Sequence, residues 1–104
     1  MSLDQAEDSH QLRVDTGVEF LKKNNHAKAT FIALVEEGPL WAGDLPSPFG
    51  RDQLVEAKLC VGVIVKGESG HYAATPICES IYRKFFGDVE TVNEGRVKRK
   101  AMNL

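Results

Sequence analysis

At 104 residues the chain has the length of one small domain, with a modest core and little room for both a scaffold and an elaborate catalytic cleft. Hydrophobic residues make up 42% and charged residues 27%, ordinary for a globular protein, and a formal net charge of −2 does not advertise a binder of polyanions. Apolar runs are only a few residues long, which excludes a membrane-spanning helix, and the polar N-terminal stretch has no secretory core. With that pattern, Cys60 and Cys78 read as reduced thiols of a cytoplasmic protein.

Residues 1–10 are polar and are expected to form a disordered N-terminus ahead of a domain over residues 11–87. From Gln11 to Lys23, Val14, Val18 and Leu21 recur with helical spacing, and Lys22 and Lys23 suit the negative end of a helix dipole. A second helix is predicted over His26–Glu37, with Phe31, Leu34 and Val35 on one face and Gly38-Pro39 ending it. Trp41 and Leu45, four apart, suggest a short third helix over Leu40–Leu45, broken by Pro46-Ser47-Pro48. The fourth helix is expected from Phe49–Arg51 to Cys60, well buried, since Leu54, Val55, Ala57, Leu59 and Val61 nearly surround its axis.

Val63-Ile64-Val65 is a β-branched run, Gly67-Glu68-Ser69-Gly70 a loop, and His71–Ala74 a return strand, which together predict a hairpin over Val63–Ala74. Thr75-Pro76 opens a last helix, with Ile77, Ile81 and Phe85 in one row and Cys78, Tyr82 and Phe86 in the next. Gly87 closes it. Residues 88–104 read as a polar tail, basic at Arg96-Val97-Lys98-Arg99-Lys100.

The order and texture of these segments resemble bacterial winged helix-turn-helix regulators of the multiple-antibiotic-resistance-regulator type. Phe31-Ile-Ala-Leu-Val-Glu-Glu-Gly-Pro-Leu-Trp-Ala-Gly-Asp-Leu45 looks like their first helix and turn. Leu59-Cys-Val-Gly-Val-Ile-Val65 looks like the end of a recognition helix entering the first wing strand, and Tyr72-Ala-Ala-Thr-Pro76 is similar to their strand-to-helix junction. The resemblance spans about Ala27 to Phe86. It implies a mainly helical α+β fold: a three-helix core, a β-hairpin wing, and flanking N- and C-terminal helices.

It further implies a transcriptional regulator that places Phe49–Cys60 in the major groove of double-stranded DNA. The contact candidates are then Ser47, Arg51, Gln53 and Lys58 on the helix and Lys66 and His71 on the wing. Arginine can bond guanine and glutamine adenine through two hydrogen bonds, while lysine and serine hold phosphates. A homodimer through the apolar stripe of the N-terminal helix is expected with it. The competing reading keeps the fold but makes it a protein-interaction module, because Asp52 and Glu56 on the same helix would repel phosphates and Glu68 sits at the wing tip. No metal-ligand spacing, cofactor loop, paired-carboxylate signature or nucleophile arrangement is present, so neither catalysis nor a bound cofactor is expected.

Overall fold

The computed structural model describes residues 3–87, 89–92 and 96–99. Its elements are α1 (Leu3–Lys23), α2 (Asn25–Glu37), β1 (Leu40–Trp41), a 3₁₀ turn (Ala42–Asp44), α3 (Pro48–Glu56), β2 (Cys60–Val65), β3 (Glu68–Ala74), α4 (Ile77–Phe86), β4 (Val89–Thr91) and β5 (Val97–Arg99). The class is therefore α+β, as expected. One antiparallel sheet has the order β1-β3-β2, and a separate antiparallel pair joins β4 to β5.

The core lies where the four helices meet the inner face of the larger sheet. Val14, Val18 and Leu21 of α1 join Phe31, Leu34 and Val35 of α2, Leu54 of α3, and Cys78, Ile81 and Tyr82 of α4. The α1 stripe is thus covered from within the chain, and Asp15 meets Lys84 at 2.6 Å alongside it. Asn24 organises the α1–α2 break: its Nδ2 donates to the Phe20 carbonyl at 2.7 Å, and its Oδ1 accepts from Gln53 Nε2 at 2.9 Å. A short amide side chain can replace lost helical partners in this way, which is why the one-residue break at Asn24 costs so little.

Several boundaries differ from the sequence expectation. The N-terminal segment is helical from Leu3, so the disordered stretch expected over residues 1–10 is corrected, apart from Met1 and Ser2, which lie outside the described residues. The helix expected over Leu40–Leu45 is reduced to the 3₁₀ turn Ala42–Asp44: six residues are too few to sustain an α-helix, and Leu40 and Trp41 pair instead with Tyr72 and His71. The fourth expected helix stops at Glu56, four residues early, and buries only Gly50 and Leu54. Lys58 at φ 64 takes the left-handed position after it, with Lys58 N–H to Val55 O at 3.0 Å and Leu59 N–H to Leu54 O at 2.9 Å. That double bond pattern is the usual glycine-type helix stop, here made by a lysine.

The hairpin begins earlier and turns more tightly than its sequence suggested. Cys60 pairs with Ala74 and Val65 with Glu68, leaving Lys66-Gly67 as a two-residue turn rather than a loop over residues 67–70. Both turn residues have positive φ (52° and 80°), the geometry that follows the natural twist of paired strands. Residues 89–92 and 96–99 are not a free tail either. Among their described parts, β4 and β5 pair, and Val97 is only 1% exposed in the core. Of the basic cluster expected there, Lys100 lies outside the described residues.

Both cysteines are free and buried, and Cys78 Sγ donates to the Leu59 carbonyl at 3.1 Å. Burial pushes the Cys60 thiol up to about 11 and raises Cys78 as well, so neither thiolate forms readily near neutrality. Both thiols should therefore resist a disulfide reagent at pH 8 until denaturant is added. Fast reaction of either in the native protein would contradict this placement.

Candidate functional site

The six residues expected to touch DNA lie on α3, the β2–β3 hairpin and the segments beside them, and three of them, Ser47, Gln53 and Arg51, have side chains engaged within the domain. Ser47 caps α3: its backbone is extended (φ −151°, ψ 116°), and its Oγ accepts the Gly50 N–H at 3.0 Å. Its hydroxyl also lies 3.4 Å from His26 Nδ1, and at 8% exposure it has little reach outward. Pro48 follows at the first helical position, where its missing N–H needs no partner. Gln53 points at the α1–α2 junction, donating to Asn24, and its Oε1 is buried without a partner among the described residues.

Arg51 is held on its own helix. Its Nε and Nη2 lie 3.0 and 2.9 Å from Asp52 Oδ1, and its guanidinium sits 5.2 Å over the Tyr72 ring. That stacking fixes the inner face of the sheet against α3. Lys58 and Lys66 are exposed, one at each end of β2, and they are the two non-glycine residues with positive φ among the described residues. His71 is half-buried in β3, opposite Trp41 and Val63, with its Nδ1 buried and unpartnered.

Both α3 and the outer face of the sheet expose large apolar side chains, and α3 adds exposed carboxylates. Phe49 is 61% exposed, Val55 43%, Trp41 54%, Val61 47% and Ile64 72%. Asp52 and Glu56 stand between and beside the α3 members of that set, both exposed. Phe49 is braced edge-on by the His26 ring at 5.8 Å. The strand register sets Trp41, His71 and Val63 in one row and Val61 with Ala73 in the next, all on the outer face. The Trp41 ring lies over Gly43, where a side chain would displace it, and at ordinary contact distance beside Gly70.

These exposures were not legible in the sequence because Val55 and Val61 read as members of a helix buried on nearly all sides. The available signal was the charge-free β-branched run Val61–Val65, which contains more apolar residues than one buried face of a strand needs. Among the described residues, no group of three or more His, Cys, Asp or Glu side chains is placed to hold a metal ion, and no helix is long and apolar enough to cross a membrane. In comparisons with known proteins, no family model, no curated protein and no solved structure matches this chain.

Proposed function

We propose that the chain is a winged-helix domain acting as a non-enzymatic protein-interaction module. The succession α2, β1, 3₁₀ turn, α3, β2 and β3, with the hairpin folded back so that β3 lies between β1 and β2, supports the winged-helix reading. The observation that carries the functional reading is the outward face of α3. Phe49 and Val55 are exposed there beside Asp52 and Glu56, while Ser47, Gln53 and Arg51 are engaged within the domain.

Covering apolar side chains of this size is worth about 1.5–3 kcal/mol each when burial is complete. Carboxylates on the same face work against a phosphate backbone. A partner protein gains from both features; a duplex gains from neither.

A DNA-binding, dimeric transcriptional regulator is the second reading, favoured by exposed Lys58 and Lys66 and by a further apolar row on α1, where Leu12 is 66% exposed near Phe20. With Val14, Val18 and Leu21 taken by the core, a homodimer through the N-terminal helix would use that Leu12 row. Light scattering at high concentration tests the dimer.

The main test takes wild type through a mobility shift with random duplex at low salt and through selection of binders from a peptide library. The expected result is no shift at micromolar protein, together with peptides whose binding is lost in Phe49→Asp/Val55→Asp. A salt-sensitive shift that Arg51→Ala/Lys58→Ala abolishes would establish the DNA reading instead.

A further inference from the structure

The order β1-β3-β2 leaves β2 at the edge of its sheet, with β3 as its one strand neighbour among the described residues. An edge strand offers a row of unpaired backbone N–H and C=O groups, and proteins commonly protect such edges with charge or proline. β2 has neither along its length: Leu59-Cys-Val-Gly-Val-Ile-Val65 is uncharged. Its protection is placed at its two ends. Lys58 and Lys66 stand there, both exposed and both in the left-handed conformation that glycine or asparagine would adopt with less strain.

We infer that the free edge of β2 accepts an extended segment of a partner protein as an added strand, apolar in its middle and acidic at both ends. The straight part of the strand, Cys60–Val63, supplies the backbone ladder. At the irregularity between Val63 and Val65, Ile64 is thrown outward and gives an apolar contact beside it. Backbone pairing of this kind gives affinity, and side chains at the margins select the partner.

The charges decide between occupants. A second copy of β2 paired antiparallel about Gly62 sets Lys58 opposite Lys66 at both ends, and an in-register parallel copy sets each lysine opposite itself. Either arrangement places like charges together, which is destabilising across strands. A strand with acidic ends meets the two lysines favourably, so the flanks that turn away a copy of this chain admit that partner. The inference rests on the interaction-module reading and adds to it the surface and the partner's chemistry.

The test uses the full chain and two labelled peptides with the same alternating valine–threonine centre, one ended by aspartates and one by lysines. Fluorescence anisotropy should show the acidic-ended peptide binding about tenfold more tightly at low salt, from two exposed charge pairs, and the preference should shrink as salt rises. Amide shifts on titration should centre on Cys60–Val65. Lys58→Glu/Lys66→Glu should reverse the preference, and Lys58→Gln/Lys66→Gln should remove it; neither changes the strand, and thermal melting verifies that each folds.

Equal binding of the two peptides, a preference unchanged in the double variants, or shifts centred elsewhere would overturn the proposal. So would no binding of either peptide at millimolar concentration. Random duplex run in parallel separates the failures: absence of both peptide and duplex binding defeats the edge-strand proposal alone, whereas salt-sensitive duplex binding defeats the interaction reading as well.

Discussion

Gly50→Ala is expected to destabilise the domain by about 2 kcal/mol or more, even though the same change in an open helix would stabilise it by about 1 kcal/mol. A Cβ on Gly50 would stand 2.1 Å from the His26 carbonyl oxygen and 2.4 Å from its carbon. Those are backbone atoms in the first turn of α2, so no rotamer change relieves the overlap. α3 would have to back away from α2, loosening Leu54 (0% exposed) and the Thr30 hydroxyl contact to the Ser47 carbonyl. Gly17→Ala provides the contrast. Its Cβ would meet the Ile81 Cδ1 at 2.5 Å, the end of a side chain that can turn aside, so the cost should be much smaller. Thermal melts should separate the two by several degrees, at about 4–8 °C per kcal/mol for a domain of this size. Equal Tm values would mean that α2 and α3 are not in the close contact described.

Glu36→Ala should cost about 2–3 kcal/mol, and Glu36→Gln clearly less. Tyr82 is fully buried, and its hydroxyl donates to Glu36 Oε2, which also receives Arg99 Nε at 3.2 Å. Alanine leaves a buried donor with no acceptor, the expensive half of breaking a hydrogen bond, whereas glutamine keeps a carbonyl oxygen in place. The ion pair itself contributes little, because Arg99 is more than half exposed. In Tyr82→Phe the donor is gone, so adding Glu36→Ala should then cost far less, a coupling that a double-mutant cycle reads directly.

Burial and the adjacent Glu36 carboxylate raise the Tyr82 hydroxyl above its ordinary value. The folded state therefore holds that proton longer than the unfolded chain. Its contribution is complete below about pH 10, the unfolded phenol value, and declines as pH rises beyond it. Tyr82→Phe should lack that alkaline decline.

The helical faces were legible in the sequence because burial imposes a period: Val14, Val18 and Leu21, Phe31, Leu34 and Val35, and Ile81 with Tyr82 all lie in the core. The hairpin was legible from β-branching and glycine, yet its turn was misplaced by preferring a loop over residues 67–70 to a lysine in the left-handed region. The end of α3 was misread for the same reason, since Lys58 carries no glycine-like signal. β4 and β5 were missed because Val97 sits among basic residues; it is buried through the packing of β5 on α2, a long-range contact that no local pattern encodes. At the site, residue types alone suggested readers of DNA. An Arg51–Asp52 pair was open to the sequence, since the two are neighbours, but only the three-dimensional placement reveals that Gln53 faces Asn24 and Ser47 faces Gly50.

The packing of α1 on α4, and of β5 on α2, has a consequence for how the chain assembles. The α2–α3 pair and the β2–β3 hairpin join residues close in sequence, so they close short loops at low entropic cost. The Asp15–Lys84 and Glu36–Arg99 contacts instead tie the two ends of the chain onto elements far away in sequence. Such contacts slow folding and are reached after the local ones. The middle of the chain is therefore expected to assemble first and to receive α1 and β5 afterwards, with Glu36 on α2 as the residue that fastens β5 through Arg99.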